Sequence, residues 1–499
     1  RAGPLRRECE VHPSSRRRQR SLRVFTEAQF VSAADAPRIL YFPCPPGSRF
    51  AWARHAAGSQ FALCGVTHTL SSESAALSLC DLLTAPYESY DSLICTSRAV
   101  ADLVRAVTGA FAEYLADRFG GVPALRPRLE VIPLAVNPEK FRPPTADERK
   151  ARRQQFGVAD DEVMVLCVGR LSHHAKAHPF PVFHATDQAA RRTGRKVHLV
   201  LAGWAAHPAV DRAYRDGAAR FAPAARVSFL DGQDPQVRSG VWPAADVFVS
   251  LPDNIQETFG LVVVEAMATA LPVVGSDWDG YRDLVTNGES GFLVPTQMIR
   301  GATNGATFRL LFGQTNYDHF LGECSQAVTV DLEAAADALS RLVGSAELRR
   351  QMGIAGRARA VERFSWEKVV RAYETLWAEQ EREVMARGKS RCAVLSPVQY
   401  PAPEESFAGY ATRWLTDSDL LRAVAGAPEV GVLAALPLTN VMPDRRCPDD
   451  TAIATLLKAA DRPESVGNLA AILERAGSDA VKARATIAWL LKYGVLRSA

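Results

Sequence analysis

Ten short apolar runs punctuate the chain from Arg38 onward: "RILYFP", "FALCGVTHTL", "SLICTSRAV", "LEVIPLAV", "VMVLCVGR", "VHLVLAG", "RVSFLDG", "DVFVSL", "LPVVGSD" and "GFLVP". Several are β-branched and end in Gly, Pro or Asp. Unbroken apolarity over that length suits strands buried on both faces, and hence parallel sheets, better than strands with one wet face. Helical patterns separate the runs, as in Ser97–Ala116 and Glu265–Ala270, so the expected class is α/β. The polar, Pro-containing segment "NPEKFRPPTADERKARR" (Asn137–Arg153) reads as the link between two such sheets, which gives domains over 36–145 and 146–385. Ligands of open α/β sheets bind beyond the carboxyl ends of the strands. The loops that follow the apolar runs are therefore where chemistry is expected.

One of these loops carries two acids. "DVFVSL" (Asp246–Leu251) reads as a strand, "PDNIQET" as the loop beyond it, and "FGLVVVEAMATA" as a helix starting near Phe259. Glu257 then lies in the loop and Glu265 roughly two turns into the helix, where side chains lean back toward the N-terminus. Both carboxylates can face one crevice. Free amides of Phe259, Gly260 and Leu261 would open into it at the positive end of the helix dipole, a ready site for phosphate. Gly260 lets a ligand approach the backbone. The alternative is a capping acid at Glu257 and a solvated helix residue at Glu265.

A second loop bears on that choice. "VMVLCVGRLSHHAKAHP" is a strand ending in Gly169, followed by Arg170 and, six residues on, Lys176. A planar guanidinium and a mobile ammonium can both reach one diphosphate from such a turn. His173, His174 and His178 lack an acidic or Cys companion at a familiar ligand spacing and read as loop residues, so no metal is expected.

Composition narrows the class further. The 499 residues are 47% hydrophobic, with 59 basic against 55 acidic side chains. That excess is too small to mark the whole chain for a polyanion partner. Nine scattered cysteines without a CxxC pair point to reduced thiols in a cytoplasmic protein. No apolar run reaches the roughly 18–20 residues of a membrane-spanning helix. Residues 1–35 are Arg-rich ("SSRRRQR", Ser14–Arg20) and read as a solvated tail, with peripheral contact to an anionic membrane face as the alternative. The chain opens on Arg1, not Met.

With both loops in place, the segment from about Val163 to Trp377 resembles the nucleotide-binding domain of family-4 glycosyltransferases, which have the GT-B fold. The matching features, in order, are "VGRL" with its following Lys, "LVLAG", "AADVFVSL", the paired acids of "ETFGLVVVEAMA", "LPVVGSDWDGYRDLV", "GFLVP" and "FSWEKVVRAYETLW". Weaker matches ("CGVTHTLSS", "ICTSRAV", "VIPLAVNPEKF") reach back into the first domain. The resemblance implies two Rossmann-like domains facing a cleft and retaining transfer of a sugar from a nucleotide-diphosphate donor. The acceptor would be a saccharide, a lipid-linked molecule or a small molecule, and neither a metal nor a separate cofactor is implied.

Under the resemblance, Arg170 and Lys176 hold the donor diphosphate and Glu265 takes the ribose hydroxyls. Glu257 lies by the donor sugar and helps to stabilise positive charge on its ring. The amides of Phe259, Gly260 and Leu261 complete the phosphate cradle. His68, in "GVTHTLSS", stands where the family often has a histidine near the donor sugar; a loop or core histidine is the other reading.

Three features depart from the family pattern. Lys176 comes one residue later than usual after its arginine. The first strand and Gly-rich loop of the family are not found before Arg38, so they either precede Arg1 or are dispensed with. The segment 297–331 is longer than the usual link, and Phe308, Phe312, Tyr317 and His319 make it either a lid or acceptor wall or a packed surface hairpin.

After a Pro-containing linker (386–410), residues 411–499 show helical spacing, with Ser478 as an N-cap and Gly494 as a stop, and resemble a small α-helical, winged-helix-like domain. Its few interleaved basic residues favour a protein-docking or purely structural role over nucleic-acid binding. A non-catalytic scaffold that binds a nucleotide sugar and docks a partner through 411–499 is the competing function.

Overall fold

All ten apolar runs become strands of two parallel sheets. The computed structural model describes residues 38–387 except 59, and 398–499 except 400, 443, 445 and 448. The basic tail and much of the linker lie outside the described residues.

In the first body β1 (Ile39–Phe42), β2 (Ala62–Val66), β3 (Ser92–Cys95) and β4 (Arg128–Val131) pair in sequential order. Helices Glu73–Thr84 and Arg98–Phe119 pack on this sheet around Leu63, Leu79, Leu82, Leu93 and Val104. Ser97 caps the second of them by accepting a hydrogen bond from the Val100 amide at 3.2 Å. Beneath the sheet edge the buried Arg54 guanidinium grips Asp91 through two bonds of 2.6 and 2.7 Å.

The second body contains β5 (Glu162–Val168), β6 (Lys196–Gly203), β7 (Arg226–Asp231), β8 (Val247–Ser250), β9 (Val273–Ser276) and β10 (Gly291–Val294), in the order β10-β9-β8-β5-β6-β7. Alternate residues face opposite cores. Val163, Val165, Leu199 and Val249 pack with Phe183 and Leu339, while Met164, Leu166, Val200 and Phe248 pack with Val263, Met267 and Trp242. Two buried faces explain the unbroken apolar runs, and each large side chain removed from water is worth about 1.5–3 kcal/mol. The order reverses between β5 and β8, so the carboxyl ends of these neighbours form the switch-point crevice.

Helix Ala146–Gln155, the second half of the polar link, belongs to this body: Arg149 and Arg153 both pair with Asp246. The long helix Trp366–Arg387 returns to the first body. Its Val369 and Leu376 bury against Cys64, Val66 and Ile94, and Gln380 donates to the Tyr90 carbonyl at 2.8 Å. Two Rossmann-like bodies joined in this way have the GT-B architecture.

The segment 297–331 is bracketed by the antiparallel pair β11 (Thr296–Met298) and β12 (Val328–Val330), with helices Ala306–Leu311 and Tyr317–Gln326 between them. Its inner side, Ala306, Phe320, Leu321 and Cys324, packs on Ala175 and Ile255. Phe308 and Phe312 stack on each other but stay exposed.

Residues 401–499 form a separate unit. It is not purely helical. Helices Asp450–Ala459, Val466–Arg475 and Ala480–Lys492 surround a three-stranded antiparallel sheet, in which β13 (Leu420–Ala423) lies between β14 (Glu464–Ser465) and β15 (Leu496–Ser498). Leu421, Leu456, Leu469, Leu490 and Leu496 make its core. The cap of the last helix is Asp479, which accepts from the Lys482 amide, rather than Ser478.

Candidate active site at the switch point

β5 is followed by Gly169, whose φ of +150° favours glycine. The neighbouring end of β6 must be equally bare, because a Cβ on Gly203 would lie 2.0 Å from the Gly169 carbonyl oxygen. The two strands' backbones thus approach closely beside Arg170. The Arg170 side chain is exposed and has no ion pair or hydrogen bond among the described residues.

Two hollows meet at Gly169 and Arg170. One is lined by Cys167, Lys176, Glu257 and Tyr281. The other, of about 480 Å³, is lined by Lys140, Trp204, Trp242 and Glu265. Glu257 and Glu265 thus line adjoining hollows that share Val168, Gly169 and Arg170.

Buried polar residues set the first hollow. Asn254 is fully buried; its side chain donates to the His174 carbonyl at 2.5 Å and accepts from the Gln256 amide at 2.8 Å. Asp253 accepts from the His178 amide at 3.2 Å, and burial pushes its carboxyl up to about 6. The loop after β5 is thus tied to the loop after β8, and the tie brings Lys176 Nζ to 3.7 Å from Glu257 Oε2.

The helix behind Glu257 starts later than the sequence pattern suggested. It spans Leu261–Ala268, with Gly260 at its N-cap at φ +95°. A Cβ there would meet the Tyr281 ring at 2.3 Å. The Phe259 amide is not free, because Glu257 Oε1 accepts from it at 3.4 Å and from Thr258 at 3.2 Å. Glu257 therefore does cap its own loop, and of the three amides expected to cradle phosphate that of Phe259 is engaged by it. Gly260 and Leu261 stand at the helix start, beside Glu257.

Glu265 is not a solvated helix residue. Burial pushes its carboxyl up to about 7, and the nearby Lys140 charge opposes that shift. Lys140 comes from the link between the bodies, in the stretch "VIPLAVNPEKF".

Residues after the strands of both sheets meet across a seam. Thr96 Oγ1 donates to the Thr258 carbonyl at 3.5 Å, and Arg98 holds Asp283 through its amide at 2.7 Å and its Nε at 2.5 Å. Tyr317 of the 297–331 segment meets Ser71 at 2.6 Å, hydroxyl to hydroxyl. His68 is exposed in the loop after β2 and makes no hydrogen bond or ion pair with the other candidate residues among those described.

Residues 162–308, from the first residue of β5 into the inserted segment, match the family described as "Glycosyl transferases group 1". Among curated relatives, a D-inositol 3-phosphate glycosyltransferase of Nocardia farcinica is 31% identical over 270 residues, covering 54% of this chain and 50% of the relative. The Geodermatophilus obscurus protein of the same name is 34% identical over 200 residues, covering 39% and 42%. The chain spans about half the length of the curated relatives it matches. Similar solved structures include sucrose-phosphate synthase from Thermosynechococcus elongatus (23% identity, TM-score 0.43, 68% of this chain and 73% of that one). Anabaena HepE in complex with UDP-glucose is another (18% identity, TM-score 0.44, 72% and 81%). No helix among the described residues is long and apolar enough to cross a membrane.

Proposed function

We propose that this chain is a retaining glycosyltransferase that uses a nucleotide-diphosphate sugar, without a metal, and transfers the sugar to a saccharide, lipid-linked or small-molecule acceptor. The observation that carries this reading is the placing of Glu265 and Glu257 in separate hollows that meet at Arg170. The larger hollow would take the nucleoside, with its ribose hydroxyls on Glu265. Arg170 and Lys176 would hold the diphosphate at the junction and offset the charge that grows on it as the glycosyl bond breaks. Glu257 would then lie by the sugar and support positive charge on its ring. The acceptor would attack from the side of the first body, where His68 lies, with the leaving phosphate helping to take its proton on the same face.

Residues 401–499 would dock a protein partner. They carry eleven Lys and Arg against twelve Asp and Glu, a balance that does not suit nucleic acid. A cytoplasmic enzyme with peripheral membrane contact fits the basic tail.

The test is thermal stabilisation of the chain by UDP, GDP and ADP and by their sugar esters, since a ligand that binds only the native state raises its melting temperature. A selective rise that is lost in Arg170→Ala supports the reading. No rise with any of them overturns it.

A further inference from the structure

Asp279 lies in the turn after β9, within "LPVVGSDWDGYRDLV". Its φ is +47°, and among the described residues only Ala270 shares a positive φ without being glycine. Asp tolerates this region better than most residues, yet it remains a disfavoured backbone. Its Oδ2 is buried and has no hydrogen-bond partner among the described residues. Burial, and then the charge of Glu257, pushes its carboxyl up to about 7, against hydrogen bonds from the Gly280 amide and the Ser97 hydroxyl.

This turn is built onto the loop that carries Glu257. A Cβ on Gly280 would lie 2.6 Å from the Phe259 Cα, and Trp278 Nε1 donates to the Asn254 carbonyl at 3.1 Å. A strained backbone, a desolvated carboxylate and a like-charged neighbour thus coincide at one residue in a turn packed on the loop of Glu257. Such costs persist where they serve a function. Holding the seam is not a sufficient reason for them, since Arg98 and Asp283 already hold it.

We infer that Asp279 is a specificity-determining ligand of the donor, its unpartnered Oδ2 receiving a hydroxyl of the sugar to be transferred, next to Glu257. The inference rests on the glycosyl-transfer reading above. It assigns Asp279 to the sugar and not to the nucleotide, and that division can be measured.

Calorimetric titration of the full chain with UDP, GDP and ADP, and with UDP-glucose, GDP-mannose and ADP-glucose, tests it. Asp279→Asn should weaken the sugar ester of the preferred nucleotide by about 10- to 100-fold, the loss of a hydrogen bond to a charged group, while leaving the bare nucleotide unchanged. Asp279→Gly, which also relieves the backbone, should do the same without lowering the melting temperature. If wild type binds a nucleotide and Asp279→Asn changes neither ligand, or weakens both alike, this inference falls and the glycosyl-transfer reading stands. A wild type that does not distinguish sugar ester from bare nucleotide also overturns the inference alone. A wild type that binds no nucleotide overturns both.

Discussion

The ammonium of Lys176 stands 3.7 Å from a carboxylate oxygen of Glu257. Glu257 is the less exposed partner, and its other oxygen is engaged with the amides of Thr258 and Phe259. A diphosphate entering beside Arg170 offers Lys176 a more highly charged partner, so the lysine can exchange one anion for another while Glu257 stays in place. The two residues should then fail differently. Lys176→Ala should weaken donor binding about 10-fold, the loss of one charge-assisted contact. Glu257→Gln should lower turnover about 100-fold with little change in donor affinity. Steady-state kinetics together with donor titrations check this pair; equal, negligible effects would remove both from the site.

Glu265 makes the site sensitive to pH. Its carboxyl is raised from the ordinary value of 4.5 to about 7 in the folded protein, so between these values the folded state holds the proton more tightly than the unfolded one. The stability this contributes is complete below about 4.5 and is lost as pH rises through about 7. Melting temperature should therefore fall with rising pH across that window, and Glu265→Gln should flatten the slope. A nucleotide sugar, whose diphosphate does not titrate there, should bind more tightly as Glu265 ionises and can accept from both ribose hydroxyls.

Gly260 meets two separate demands, a left-handed φ of +95° and contact with the Tyr281 ring. Gly260→Ala should destabilise the second body by about 2–4 kcal/mol, from backbone strain and overpacking together. Ser250, which meets the Tyr281 hydroxyl at 2.8 Å, would shift as that ring moves. Chemical denaturation gives the stability loss, and donor affinity should fall with it.

Arg54 and Asp91, both almost wholly buried, form the main ion pair inside the first body. Asp91 also accepts from the Leu63 and Glu88 amides, so it anchors β2 and the approach to β3. Arg54→Ala leaves that carboxylate buried without its cation and should cost about 3–5 kcal/mol. The damage should be confined to the first body, with nucleotide binding to the second kept at low temperature.

The sequence alone marked the strands, because short, largely β-branched apolar runs suit a parallel sheet; the central strands are buried along their length, while β1, β4 and β7 at the sheet edges are only partly buried. It also singled out Arg170, Lys176, Glu257 and Glu265, since each follows a strand end, and in a parallel α/β sheet strand ends are where ligands bind. Only the tertiary structure decided how these residues are shared out. Gly169 and Arg170 line both hollows, while Lys176 and Glu257 line one and Glu265 the other, and Glu257 engages the Phe259 amide. The turn at Asp279 meets the loop of Glu257 because β9 lies beside β8, and the packing of 297–331 on Ala175 and Ile255 brings together segments far apart in the chain. β13, a run of only "LLRA", becomes a strand because β14 and β15 pair with it from beyond the intervening helices. In each case the deciding contact joins residues distant in sequence, which local periodicity cannot register.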